Sequence, residues 1–218
     1  MIDQLIKVFS FFHICALLTF TPRAVGVQKT NVIIVLAPGF EELEAITVAD
    51  VLMNSGANVT LAGLSGISEN FVLGAHGISL GIQTTLESHK PNYFDMIVLP
   101  GGPNGVKSMK KSNQLEIFLR HFVDKKKYVA AICLAPLVLE HFELFRGAHL
   151  TSNPSAAKSL RKNYHYSDDR VVTDGMLITS RGPGTAMEFA FKLVELIFGE
   201  SSARHLATSM LSNVFNKT

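Results

Sequence analysis

The chain has 218 residues, 47% of them hydrophobic and 17% charged, with a formal net charge of +2. This is ordinary globular composition, long enough to bury a core, and one domain is the default at this length. A charge so close to neutral excludes a nucleic acid as the main partner. The basic clusters Lys107, Lys110, Lys111 and Lys125, Lys126, Lys127 read as solvated helix ends.

Residues 1–26 differ from the rest. Lys7 precedes an apolar stretch at 8–20, broken only by Ser10, His13 and Thr19, and Ala24-Val25-Gly26 follows the Pro22-Arg23 break. A basic start, a short apolar middle and a small-residue exit are the layout of a cleaved signal peptide. The stretch is short for a membrane span, which needs about 20 residues, so no stable span is expected once the leader is removed. The secretory pathway or the extracellular space is the expected location. A mitochondrial presequence, or a cytoplasmic protein, is the alternative. Cys15 lies in this leader, so residues 27–218 keep Cys133 as their sole cysteine and no intrachain disulfide is expected.

Strand and helix signals then alternate. Residues 31–37 form a continuous apolar, β-branched run, as in a strand buried on both faces. Ala45, Ile46, Ala49, Leu52 and Met53 mark a helix face that Gly56 ends. Residues 58–62 predict a second strand, and 71–85 a small hairpin around Gly74 and Gly77. Residues 96–100 form a strand that runs into Gly101-Gly102. Leu115, Phe118, Leu119 and Phe122 mark a helix, and 128–132 is another strand. Residues 170–173 and 176–180 flank Asp174-Gly175, a hairpin signal. Thr185-x-x-Glu188 reads as a capping box before a helix that Gly199 ends, and 201–211 form one more. Alternating strands and helices predict a single α/β, doubly wound domain, its sheet mostly parallel with helices on both faces.

In such sheets, ligands bind at the carboxyl ends of the strands. Cys133 directly follows a strand and precedes a helix, with Ala131 and Ala135 two residues to either side. A sharp nucleophile elbow requires small residues at those positions, and free N–H groups at a helix start would lower the thiol pKa. Gly101 and Gly102 offer backbone N–H groups suited to an oxyanion. Glu41, Glu42 and Glu44 cluster at a helix start. Two of them are expected to serve the helix end, and the remaining one to face the thiol.

Four segments together are similar to the ThiJ/PfpI superfamily, and more closely to its DJ-one subfamily, the parkinsonism-associated protein deglycase group. They are residues 37–44 (Ala-Pro-Gly-Phe-Glu-Glu-Leu-Glu), 98–102 (Val-Leu-Pro-Gly-Gly), 130–136 (Ala-Ala-Ile-Cys-Leu-Ala-Pro) and 179–185 (Thr-Ser-Arg-Gly-Pro-Gly-Thr). The resemblance implies a flavodoxin-like homodimer with a nucleophilic or redox-sensing cysteine. Matched motif by motif, Cys133 takes the cysteine role and Glu44 that of the glutamate bonded to it. Gly101, Gly102 and Leu134 fall on the oxyanion and substrate side. Asn153 and Pro183 line the pocket, as does His76 near a position where relatives carry a basic residue.

The implied activities are cofactor-free conversion of methylglyoxal to lactate and removal of early glycation adducts, with a small α-oxoaldehyde or glycated adduct as partner. A non-enzymatic redox sensor or chaperone that works through Cys133 oxidation is the alternative.

The departures from the family pattern are informative. Leu134 stands where the protease-like branch has a His, which argues against peptidase chemistry. Asn153 stands where many members have a His, and Asn153-Pro154 is also a plain helix start. The histidines show no metal spacing, although His149, four residues before Asn153, could approach the site. No dinucleotide or Walker phosphate loop is present, so neither a metal nor a nucleotide cofactor is expected.

Overall fold

The computed structural model describes residues 30–64 and 70–215. The expected leader lies outside these residues. In chain order the elements are β1 (Asn31–Leu36), α1 (Glu42–Asn54), β2 (Asn58–Gly63), β3 (Phe71–Leu73), β4 (Ser79–Gly81), β5 (Thr84–Thr85) and β6 (Met96–Leu99). Next come α2 (Pro103–Met109), α3 (Asn113–Asp124), β7 (Tyr128–Ile132), α4 (Pro136–His141), β8 (His149–Leu150), α5 (Ala157–Leu160) and β9 (His165–Tyr166). The chain closes with β10 (Val171–Asp174), β11 (Leu177–Ser180), α6 (Ala186–Phe198) and α7 (Glu200–Ser209).

The main sheet has the order β10-β11-β7-β6-β1-β2-β5. Its neighbours pair in parallel, except for the antiparallel β10–β11 hairpin. This is the predicted doubly wound, flavodoxin-like α/β fold. One face packs Phe118, Leu119 and Phe122 of α3 with Val138 and Leu139 of α4. The other packs Val48 and Leu52 of α1 against Phe189, Leu193 and Val194 of α6. Because both faces are covered, β1 and β6 are apolar along their whole buried length, which explains their unalternating sequence. Among the described residues no helix is long and apolar enough to cross a membrane.

Local chemistry refines several boundaries. The predicted 71–85 hairpin forms from β3 and β4 as a separate two-stranded ribbon, while β5 joins the edge of the main sheet. In the β10–β11 hairpin Asp174 pairs with Leu177, so the two-residue loop is Gly175-Met176, one residue later than predicted. Gly175 has φ 58°, the left-handed conformation that such a loop demands. The predicted capping box at Thr185 does not form. Its hydroxyl instead binds the Ser180 hydroxyl at 2.6 Å and takes the N–H groups of Arg181 and Gly182, while Glu188 pairs with Arg170.

Topology places the site. The chain leaves β1 toward β2 on one side and continues from β6 to β7 on the other, so the order reverses between the adjacent β1 and β6. A crevice opens at the carboxyl ends of the strands flanking such a reversal. Glu44, Gly101 and Cys133 follow the ends of β1, β6 and β7.

Candidate active site

Cys133 sits one residue beyond β7 with φ 65°, a left-handed backbone that a non-glycine residue adopts only under local constraint. Both of its backbone groups are pinned. Its N–H donates to Ser180 O at 2.9 Å, and its carbonyl accepts from Asn153 N at 2.9 Å. Ala131 and Ala135 on either side are fully buried, leaving room for the tight turn. This is the expected elbow, with the cysteine buried at its apex.

Glu44 reaches the same point from the first turn of α1. It is fully buried, and its Oε2 accepts from the Gly101 N–H at 2.7 Å. A Cβ built on Gly101 would fall 2.7 Å from Cys133 Cβ, 2.8 Å from Glu44 Oε2 and 3.1 Å from Cys133 Sγ. Only glycine therefore lets β6 approach the two side chains so closely. Glu44 Oε1 is buried and has no hydrogen-bond partner among the described residues. Of the other two acidic residues Glu41 serves the helix start, as expected, whereas Glu42 is taken up by the turn between β3 and β4. Glu41 caps α1 by accepting the Glu44 N–H at 2.8 Å. Glu42 takes the His76 N–H at 2.6 Å and His76 Nδ1 at 2.8 Å. Burial works to raise the Glu42 carboxyl, but these donors outweigh it and hold it below the ordinary carboxylate value.

Burial is also the first influence on Glu44. It lifts that carboxyl to about 7, assisted by the nearby charge of Glu41 and opposed by the Gly101 N–H and the Cys133 thiol. The Cys133 thiol is pushed up to about 12, by burial first and then by the charge and hydrogen bonding of Glu44. The expected lowering of the thiol is therefore reversed. The helix that follows, α4, has only six residues and starts three positions after the cysteine. The Leu134 and Gly102 N–H groups do pull the thiol downward, but burial and the adjacent carboxylate win. Burial and the adjacent carboxylate thus favour the protonated thiol, next to a carboxyl whose own affinity for a proton is raised.

The oxyanion donors are correspondingly reassigned. Gly101 N–H is committed to Glu44, so it is not the donor expected from the Gly-Gly pair. The N–H groups directed at the sulfur belong to Gly102 and Leu134. Gly102 has φ 95°, and a Cβ there would collide with Gly39 O at 2.2 Å.

The remaining candidates separate. Asn153 joins the site through its backbone, while its Oδ1 accepts from Ser155 N at 3.0 Å and Ser155 Oγ at 2.8 Å. It thus caps the 3-10 turn Pro154–Ala156, as the Asn-Pro pair predicts. Pro183 is exposed. Its neighbour Gly182 is the residue facing the pocket, with its Cβ position 3.9 Å from Asn153 Nδ2 and 4.0 Å from Glu44 Oε1. The sequence marked this segment but not its glycine. His76 is exposed and bonded to Glu42, on the outer side of the α1 start. His149 does not approach the cysteine. It is exposed, bonded to Asp174 and stacked on His165.

The geometry has counterparts in known proteins. Residues 30–196 match the model of the DJ-1/PfpI family. The chain is 42% identical over 185 residues to protein dj-1beta of Drosophila melanogaster, covering 84% of this chain and 98% of that one. It is 33% identical over 179 residues to the glutathione-independent glyoxalase DJR-1.2 of Caenorhabditis elegans, covering 82% and 94%. The crystal structure of Drosophila melanogaster DJ-1beta superposes with a TM-score of 0.81 at 41% identity, covering 84% of this chain and 98% of that one. With a strained cysteine elbow at the sheet's switch point and this likeness over most of its length, the chain belongs to the DJ-1/PfpI family.

Proposed function

We propose that this chain is a cofactor-free, cysteine-dependent glyoxalase of the glyoxalase III type, acting on methylglyoxal and on early glycation adducts as a deglycase. The observation that carries the reading is the buried Glu44 carboxyl, its Oε1 unpartnered, beside the Cys133 sulfur and the Gly102 and Leu134 N–H groups. The Caenorhabditis elegans relative named as a glutathione-independent glyoxalase supports the same chemistry.

In the proposed reaction the sulfur attacks the aldehyde carbon as the thiol proton passes to Glu44. Glu44 returns that proton to the aldehyde oxygen, giving a hemithioacetal. As a carboxylate it then removes the hydrogen from the former aldehyde carbon, and the resulting enediolate is held by the Gly102 and Leu134 N–H groups. Delivery of the proton to the neighbouring carbon gives a lactoyl thioester. Water hydrolyses the thioester, releasing lactate and restoring the thiol. A carboxyl raised to about 7 exchanges protons readily at neutral pH, as both transfers require.

The test is lactate production from methylglyoxal by the wild-type protein, Cys133→Ser and Glu44→Gln. Both substitutions abolish turnover if the two side chains act as one unit, and the double variant is no worse than either. Turnover by Glu44→Gln equal to the parent defeats the mechanism. Absence of turnover in the parent, with Cys133 gaining two oxygens in an intact-mass measurement, favours a redox sensor. We also propose that residues 1–26 are a cleaved leader directing residues 27–218 to the secretory pathway. N-terminal sequencing of native protein that finds Met1 retained overturns that proposal.

A further inference from the structure

A groove of about 510 Å3 runs between α2 and α4, on the sheet face opposite α1. Val106, Leu134 and Leu137 form its apolar wall, and Val106 is almost completely buried. Its rim carries Lys107, Lys110 and Lys111, with His141 at the end of α4. Among the described residues no carboxylate lines it. Glu140, the nearest acidic residue along α4, is held away by the Ser159 hydroxyl at 2.7 and 2.8 Å. None of the three lysines makes an ion pair among the described residues. The sequence reading of these lysines as plain solvated helix ends leaves their grouping over an apolar wall unexplained.

We propose that this groove binds a free aliphatic monocarboxylate of medium chain length, its chain along Leu134 and Leu137 and its head among Lys107, Lys110 and Lys111. Charge complementarity selects the head, since three unpaired cations surround an opening without acidic residues. The apolar wall selects the chain. Clefts of roughly 300–1,000 Å3 lined by apolar side chains with a few placed charges are the usual form of small-ligand sites. The groove adjoins the cysteine site through Leu134, but Leu137 and the three lysines take no part in that site, and the proposal does not depend on the proposed reaction.

Titration calorimetry of the full chain with decanoate and with uncharged decanol tests this. Decanoate is expected to bind at one saturable site, and added salt to weaken it. The triple variant Lys107→Gln, Lys110→Gln, Lys111→Gln is expected to bind decanoate at least tenfold more weakly with decanol binding unchanged. Leu137→Ser is expected to weaken both, and circular dichroism confirms that each variant is folded. Absence of saturable decanoate binding, or equal affinity in the triple variant, overturns the proposal. Adhesion to anionic vesicles, or binding of an acidic helical peptide, without decanoate binding overturns it as well.

Discussion

At the scale of single residues, the site is a contest between burial and a few backbone donors, and burial wins at both side chains. Glu44 rises from 4.5 to about 7, so the folded protein holds a proton that the unfolded chain releases. The contribution of this one group to stability is therefore greatest below pH 4.5 and falls by up to about 3 kcal/mol as the pH rises through 7, opposite in sign to the contributions of Glu42 and Asp174, whose carboxyls are held low. Glu44→Gln, which has no proton to lose, is expected to flatten that slope in denaturant titrations run between pH 4.5 and 7.5. The same substitution removes the second-largest cause of the raised thiol, so the midpoint of the pH profile for Cys133 alkylation is expected to shift downward. An unshifted midpoint means that the carboxylate does not act on the sulfur. The glycines give a paired expectation. Gly101→Ala pushes a methyl group 2.7 Å from Cys133 Cβ and should abolish turnover and lower stability. Gly182→Ala meets nothing closer than 3.9 Å and should retain the fold. Equal thermal midpoints and rates for the two variants would show that the close approach at Gly101 is not needed.

At the scale of elements, legibility followed length and periodicity. α3 was visible because Leu115, Phe118, Leu119 and Phe122 recur at helical spacing, and all four are fully buried. The elbow was legible because an apolar run stops at a cysteine with an alanine two residues to either side. The two-residue strands β8 and β9 and the 3-10 turns carry too few residues for any period to show. Which N–H groups face the sulfur was hidden for another reason: Gly101, Gly102 and Leu134 differ in role only through the direction of each peptide plane, which sequence does not encode. The failed capping box is a tertiary override, since the Thr185 hydroxyl is claimed by Ser180 and by the 181–182 loop that it holds beside the pocket. Asn153 is the element-scale test. Its side chain caps a turn, so Asn153→Ala is expected to cost about 1 kcal/mol in denaturant unfolding while Asn153→Asp folds normally. A large loss of turnover in Asn153→Ala at unchanged stability would make the side chain part of the chemistry.

At the scale of the whole molecule, the two sheet faces are unequally finished. α1 buries Val48 and Leu52 against the sheet, yet Leu43, Ile46 and Met53 stand exposed along its outer side, with the exposed Asp50 between Ile46 and Met53. An apolar stripe of this kind on a surface helix is what a partner surface covers. A two-fold axis beside α1 would let each copy bury the other's stripe, the self-complementary arrangement of most homodimers. Such a dimer is also the assembly that the family resemblance implies. The stripe starts on the turn that carries Glu44, so a second copy placed there would lie over the start of α1. The prediction is that light scattering finds twice the chain mass at micromolar concentration. The double variant Ile46→Glu, Met53→Glu should be monomeric, because like charges would face each other across the axis. Both positions lie outside the buried face of α1, so the variant should retain its far-ultraviolet spectrum. A monomeric wild-type protein, or a dimer that survives both glutamates, would show that α1 is not the pairing surface. A rise in Cys133 alkylation on dilution to the monomer would show in addition that pairing restricts access to the sulfur.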